Sequence, residues 1–552
     1  MTNTVQKLLV KNSLLLPVSI AGMSGILMAL ATAPVSAWPL AWVTLAPLWV
    51  LIVRNEPPKR GETQSKVCWL ALAWGMGYHG FALSWILGIH PMTWLGVPWW
   101  PSLAIALGCW LFITLWGAAL VTVWAYLFTL THSFLKPGNA KGNHRSGILP
   151  FKQGGIVLTR VLMGTAFWCA LESLWSASPL WWTSLSYTQS PHNLAILHLG
   201  QLSGPSAVTA AIVAVNGLIA EVWLTGNKRQ VEGNQQTLIP YLLPILLFLF
   251  LHSLGLSGYS RSWEKDQATA LKIGVIQGNV PNQIKFNSEG WQRALEGYEK
   301  GYQALVNQGV DAVLIPETAL PFIWTNPNQR SYLSFYQAIL QRGVVAWVGG
   351  FGQAGNNITN SLFTINGQGE IFSRYDKIKL VPLGEYIPFE QLIGGIINRL
   401  SPLDAHLVAG NPQQLFDTPF GRAIVGICYD SAFAEHFRRQ AAAGGEFILT
   451  ASNDAHYTAA MMAQHHAQDL MRAIETDRWA VRATNTGYSA FINPRGETIW
   501  ISGLNKYEVQ AANIYRRQTR TFYVQWGDWL TPVLLVVAGL AGVTVKSHLP
   551  HP

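Results

Sequence analysis

The sequence has few charged residues for its length, since Asp, Glu, Lys and Arg together make up 12% of 552 residues. An average soluble chain has about twice that share. Half of the residues are hydrophobic, and 25 are tryptophan. This composition excludes an ordinary soluble protein and favours a membrane protein.

Cysteine is also scarce, and the four that are present do not form a disulfide framework. Cys68, Cys109 and Cys169 lie in long apolar segments, where a cysteine usually serves as a small buried hydrophobic residue. Cys428 differs, because it ends the strand-like run in "RAIVGICYDSAF". From this stretch alone, Cys428 is either a core residue or a nucleophile at the mouth of a site.

Metal-binding and phosphate-binding patterns are missing from the sequence. His465 and His466 are adjacent, so they cannot both face one site on a helix. No phosphate loop, internal repeat or low-complexity tract is evident. We therefore expect no metal and no cofactor.

Long apolar runs indicate helices that cross a bilayer, which requires about 20 apolar residues each. Such runs lie at 11–32, 38–53, 67–87, 102–130, 154–177, 200–225, 238–257 and 527–545. The stretch 258–526 has the composition of a soluble domain. The sequence thus predicts a membrane domain of about seven helices (1–257), a catalytic domain (258–526), and a closing helix with a short tail (527–552).

The loops between these runs differ sharply in basic residues. With alternating sides, 12 Lys and Arg fall on one side, whereas the opposite short loops at 33–37, 88–101 and 178–199 have none. Cytoplasmic loops carry the positive excess. Both termini are therefore predicted to be cytoplasmic, with the large domain on the other side. The net charge of +9 reflects this topology more than a nucleic-acid surface. The segment ending in "APVSA" resembles a signal peptide, but the loop charges favour an uncleaved first helix.

The soluble stretch alternates strand-like apolar runs with helix-like segments, as in a sheet covered on both faces. Three chemically unusual residues lie at the ends of strand-like segments. Glu317 ends "DAVLIPE", Lys377 ends "EIFSRYDK", and Cys428 ends "RAIVGIC". Together they suggest a base, an oxyanion stabiliser and a nucleophile.

The motifs "PET", "YDKIKLVPLGEYIPF", "GICYD" and "SNDAHY" resemble the carbon–nitrogen hydrolase (nitrilase) superfamily. Set between seven predicted helices and one more, they are similar to its membrane-embedded branch, the apolipoprotein N-acyltransferases. The resemblance implies a polytopic α-helical membrane protein with an inserted α/β, nitrilase-like αββα sandwich domain.

Carried over by position, the resemblance implies Glu317 as general base, Lys377 as oxyanion stabiliser and Cys428 as nucleophile, with Glu385, Tyr429 and Asp430 in support. Asp430 replaces the usual Glu. Two further departures are Phe286 in place of Trp and His456 in place of a commoner aromatic residue.

The resemblance further implies an acyltransferase of the bacterial inner membrane, with its catalytic domain in the periplasm. A phospholipid would donate the acyl group through a cysteine thioester. The acceptor would be the N-terminal amine of a diacylglyceryl apolipoprotein. Two alternatives are a membrane-anchored, nitrilase-like amidase and an inactive lipid-binding or transport protein.

Two apolar segments near the predicted site have two interpretations. Residues 320–324 and 386–400 are either ordinary packing segments or mobile arms that admit acyl chains. The sequence does not distinguish the two.

Overall fold

A computed structural model of the chain describes residues 14–54, 60–135, 150–232, 239–261, 267–386 and 407–548. The first half is helical. Its principal helices are Leu15–Leu30, Ala46–Arg54, Arg60–Ala82, Trp99–Phe134, Pro150–Ser176, Leu194–Leu197, Gly200–Ser203, Pro205–Glu232 and Ile239–Tyr259, and a last helix, Leu530–Ser547, follows the strands.

Five helices of the described residues are long and apolar enough to cross a membrane. They are Trp99–Thr131, Gly154–Ser176, Pro205–Gly226, Tyr241–Tyr259 and Leu530–Ser547. Leu15–Leu30, Trp38–Arg54 and Leu194–Ser203 are shorter apolar helices. The predicted total of eight crossings and the predicted domain boundaries stay predictions.

One predicted span is not a single regular helix. The run 38–53 forms a 3-10 helix, Trp38–Trp42, followed by the α-helix Ala46–Arg54. Pro39 and Pro47 lie near the start of the two pieces. Because proline lacks an N–H and suits the first turn of a helix, each one starts a new piece rather than continuing the last.

Two buried acidic side chains in the helices of the first half, Glu172 and Glu221, have several hydrogen-bond partners each. Glu172 accepts bonds from the Leu185 N–H (2.9 Å) and from the Ser184 and Thr209 hydroxyls (both 2.8 Å). Glu221 is paired with Arg160 at 2.5 Å. Intramembrane acids are functional candidates by default, but these two are engaged in packing the bundle.

The described part of the second half contains two six-stranded sheets. Their strands are β1 (Ala270–Gln277), β2 (Ala312–Leu314), β3 (Val345–Ala354), β4 (Asn357–Ile365), β5 (Ile371–Asp376), β6 (Phe416–Thr418), β7 (Gly421–Ile427), β8 (Phe447–Ser452), β9 (Ala480–Thr484), β10 (Ala490–Ile492), β11 (Thr498–Ile501) and β12 (Glu508–Tyr515). The order is β12-β1-β2-β3-β4-β5 in one sheet and β11-β10-β9-β8-β7-β6 in the other. Three central strands of each sheet run parallel, β1-β2-β3 and β7-β8-β9.

The two sheets face each other, and helices cover their outer faces. Among the described residues, the α-helices of this domain are Asn282–Lys285, Ser288–Asn307, Pro327–Ser331, Ser334–Arg342, Ala434–Ala442, Ala459–Thr476 and Phe522–Trp526. One core lies between the sheets, where Val275 and Trp347 of one sheet and Val425 and Leu449 of the other are fully buried. The expected αββα sandwich is confirmed.

The helical layer over the second sheet packs on the helices of the first half. Met461 and Leu470, on the helix Ala459–Thr476, belong to the same buried cluster as Trp85 and Trp182. This layer therefore has a sheet on one side and the membrane domain on the other.

Candidate active site

Glu317, Lys377 and Cys428 all follow strands, as the sequence predicts. Glu317 comes three residues after β2, Lys377 directly follows β5, and Cys428 directly follows β7. All three are at most 5% exposed. Because parallel strands place their carboxyl ends at one edge of a sheet, the site lies where loops from both sheets converge.

The Glu317 carboxylate accepts hydrogen bonds at both oxygens. Oε1 accepts from the ammonium of Lys377 (2.8 Å) and the side-chain amide of Asn360 (2.7 Å). Oε2 accepts from the backbone N–H of Asn453 (2.8 Å). Burial alone would raise the pKa of Glu317, but Lys377, Lys285 and Asn360 outweigh it and lower that pKa below its ordinary value. Glu317 is therefore held ionised, as a base requires.

The Lys377 ammonium is shared between two carboxylates. It lies 2.8 Å from Glu317 and 3.0 Å from both oxygens of Glu385. Burial would lower the pKa of Lys377, but the two carboxylates raise it well above its ordinary value. The Asn360 amide also donates to Glu385 (2.9 Å), and burial raises the pKa of Glu385. Glu385 is thus part of the same charged group as Glu317 and Lys377.

Cys428 adopts a left-handed backbone conformation, with φ of 50°. Few residues other than glycine do so, and such strain clusters at functional sites. Burial raises the pKa of the Cys428 thiol well above its ordinary value; Glu317 adds to this rise, and Lys377 opposes it. The thiol is therefore protonated at rest and requires a base to react.

Asp430 connects the nucleophile to the lysine segment. Its carboxylate accepts hydrogen bonds from the backbone N–H groups of Ile427 (3.0 Å) and Lys379 (2.8 Å). Asp430 is fully buried. The shorter acid at this position thus holds the residue before Cys428 and the second residue after Lys377 in a fixed relation.

Tyr429 points away from these charges, towards the membrane domain. Its hydroxyl lies 2.8 Å from the carbonyl oxygen of Pro179 and 2.9 Å from that of Trp181, and its ring stacks on Trp182. The residue after the cysteine therefore joins the two halves of the chain.

Comparison with known proteins agrees with both halves. The profile of the carbon–nitrogen hydrolases matches residues 272–523, and that of the apolipoprotein N-acyltransferase N-terminal domain matches residues 24–218. The apolipoprotein N-acyltransferase of Nostoc sp. is 58% identical over 92% of this chain and 95% of its own length. That of Synechocystis sp. is 49% identical over 93% and 98%.

The chain belongs to the apolipoprotein N-acyltransferase family. It is accordingly a multi-pass membrane enzyme, an acyltransferase with a carbon–nitrogen hydrolase domain. A crystal structure of an amidase from Nesterenkonia sp. matches 46% of this chain and 92% of its own, with 18% identity and a TM-score of 0.35. The family assignment does not depend on that likeness.

In this member of the family, a histidine contacts the nucleophile's backbone. His465 Nε2 lies 2.9 Å from the carbonyl oxygen of Cys428, and Nδ1 lies 3.0 Å from a carboxylate oxygen of Asp454. Both ring nitrogens of His465 are therefore engaged by oxygen atoms of the protein. Potential metal ligands of Cys428, Asp454 and His465 do lie within 4.8 Å of one another. A cation bound there would have to displace the contacts of His465 with Asp454 and with the Cys428 carbonyl oxygen.

Sequence reasoning missed three residues of this site, namely Lys285, Asn360 and His465. Each is a polar residue of an ordinary type whose partner is more than 30 positions away in the chain. The one local signal was the position of Lys285 next to Phe286 in "QIKFN". His456 acts as an aromatic wall, because it stacks on Trp94 with ring centroids 5.6 Å apart, and burial lowers its pKa to about 4.

The segment 320–324 is packed against the first sheet. Leu320 and Trp324 are fully buried, and the backbone N–H of Trp324 donates to the carbonyl oxygen of Phe351. For this segment the structure favours the packing interpretation over a mobile arm. Of the second candidate arm, 386–400, all but Tyr386 lies outside the described residues.

Proposed function

We propose that this enzyme transfers a fatty acyl group from a phospholipid, through a thioester on Cys428, to the N-terminal amine of a diacylglyceryl apolipoprotein. The observation that carries the proposal is a buried Glu–Lys–Cys group at three strand ends, in a domain packed on apolar helices. Acyl transfer between two membrane-anchored substrates requires this combination, because a site away from the bilayer would have to extract both lipids at high cost.

In the first step, Glu317 takes the thiol proton while Cys428 Sγ bonds to the ester carbon of the phospholipid. The ester C–O bond then breaks, and Glu317 returns the proton to the departing lyso-phospholipid oxygen. The Lys377 ammonium has three N–H donors. Among the described residues, Glu317 and Glu385 accept two of them, so one remains for the developing oxyanion.

In the second step, the acceptor amine attacks the thioester carbon. The C–N bond forms, the C–S bond breaks, and the amine proton returns to the Cys428 thiolate through Glu317. The amide product and free enzyme result. Glu385, Tyr429 and Asp430 support these steps, the first by sharing Lys377 and the other two by fixing the backbone around Cys428.

The same proposal places the catalytic domain in the periplasm and both termini in the cytoplasm. The distribution of 12 basic residues on one set of loops and none on the other supports this orientation. Alkaline phosphatase fused after residue 190 should be active, and the same enzyme fused after residue 145 should be inactive. The reverse pattern would contradict the orientation.

Intact-protein mass spectrometry tests the reaction itself. After incubation with dipalmitoyl phosphatidylethanolamine in detergent, we expect a palmitoyl adduct that maps to Cys428 and is absent from Cys428→Ala. A diacylglyceryl-cysteine peptide should discharge the adduct and gain the acyl group. Discharge to free palmitate alone, with no acylated peptide, would instead indicate a hydrolase.

A further inference from the structure

A second buried lysine, Lys285, contacts the backbone next to the proposed base, Glu317. Lys285 ends the short helix Asn282–Lys285 and is 3% exposed. Its ammonium donates to the Thr318 hydroxyl (2.7 Å) and approaches the backbone carbonyl oxygen of Glu317 (3.3 Å). Lysines are almost never fully buried unless they are paired, yet neither of these acceptors is charged. The charged groups that compensate Lys285 are therefore those of the active site.

The backbone that Lys285 contacts is strained. Thr318 has φ of 43°, a conformation that is unusual for a β-branched residue. This turn also lies so close to β3 that a Cβ at Gly349 would be 2.0 Å from the carbonyl oxygen of Pro316. Lys285 and Gly349 thus both contact the turn that carries Glu317.

The charges of the site also require a second ammonium. Glu317 and Glu385 share Lys377, so without Lys285 two carboxylates would face a single cation. A buried charge without a partner is costly. Burial lowers the pKa of Lys285 to about 8, although Glu317 and Cys428 oppose the effect. Near neutral pH, Lys285 therefore supplies positive charge to the site.

We propose that Lys285 is a positioning residue for acyl transfer: its ammonium fixes the Glu317–Thr318 turn and helps to keep Glu317 ionised until Cys428 reacts. The proposal rests on the roles proposed above for Glu317 and Cys428. The other titratable groups that face this region are Lys377, Glu385 and His456.

The test is the pH dependence of acyl-enzyme formation, followed by mass spectrometry of the Cys428 adduct. A cation nearby lowers the pKa of a carboxyl, so removing the Lys285 charge should raise the pKa of Glu317. In Lys285→Met, Glu317 is then protonated at a higher pH. The acid limb, which is the pH range where the rate falls on the acid side of the profile, should therefore shift to higher pH by about one unit. Lys285→Gln should behave alike, whereas Lys285→Arg should keep the wild-type limb.

Thr318→Ala is the matched control, because it removes one partner of Lys285 and leaves the ammonium in place. Its rate should change, but its acid limb should stay where it is in the wild type. An unmoved limb in Lys285→Met or Lys285→Gln, or an equal shift in Thr318→Ala, would overturn the proposal. If the wild type forms no adduct at all, the proposed function fails. An adduct with unmoved limbs overturns only the role of Lys285.

Discussion

The amide of Asn360 offers a sharp test of how the site holds two carboxylates together. Its Nδ2 atom lies 2.7 Å from a Glu317 oxygen and 2.9 Å from a Glu385 oxygen, and the side chain is 2% exposed. Hydrogen bonds to charged groups contribute about 1.5–3 kcal/mol each. One such bond corresponds to about one to two units in the pKa of Glu317.

Asn360→Ala removes both bonds and should raise the pKa of Glu317. A carboxylate whose pKa rises is protonated at higher pH, so the acid limb of acyl-enzyme formation should move up. Because a rise of about one to two units leaves Glu317 mostly ionised at pH 7, the rate should fall on the acid side of the profile and change little at pH 7. Asn360→Asp has nearly the same shape but places a third carboxylate against the other two. It should lose more than about a hundredfold.

Asn366 provides the control for Asn360→Asp. It lies in the turn after β4, where its amide also donates to a carboxylate, that of Glu370, but at an exposed position. Asn366→Asp should leave acylation unchanged, since exposed interactions of this kind contribute little. Adduct formation by Asn360→Asp within tenfold of the wild type would refute the idea that this amide keeps the two acids compatible.

Three further predictions concern other residues of the site and its support. Glu317→Gln should form the Cys428 adduct at least about a hundredfold more slowly in single-turnover mass spectrometry, because the protonated thiol loses its base. Asp430→Asn places an amide N–H₂ against the backbone N–H of Ile427 or Lys379. It should lower the free energy of unfolding by about 2–4 kcal/mol, measured as a lower Tm, and a wild-type Tm would contradict this reading. Gln464→Leu should also lower the Tm, because it removes hydrogen bonds between the helix Ala459–Thr476 and the membrane domain. Gln303→Leu, at an exposed position of the catalytic domain, should leave the Tm unchanged.

Much of the fold could be predicted from local pattern. The run "RAIVGIC" forms β7, and the run "DAVLIPE" contains β2. These succeeded because a buried parallel strand has an apolar sequence of its own. The apolar run 38–53 does not show its internal break in advance: it consists of a 3-10 helix and an α-helix, and Pro47 lies in the first turn of the second piece.

The three principal site residues could be found because each ends a strand-like run, where a charged or reactive side chain is conspicuous. The residues that position these three could not be found from the sequence. Asn360 lies inside β4, and His465 lies in the middle of a helix, so neither interrupts a pattern. Their roles depend on contacts with Glu317 and Cys428, 43 and 37 positions away. Only the folded chain shows those contacts.

The helix Ala459–Thr476 also has a consequence for how the enzyme responds to its surroundings. Gln464 on this helix bonds to the carbonyl oxygens of Ala33 and Ala82 and accepts from the indoles of Trp85 and Trp182. The next residue, His465, holds the carbonyl of the nucleophile. Adjacent residues of this helix therefore contact the membrane domain and the backbone of the reactive cysteine. A detergent that loosens the helices of the membrane domain should thus slow alkylation of Cys428 well before the catalytic domain melts. The rate of Cys428 alkylation would then report whether the membrane domain keeps its native packing.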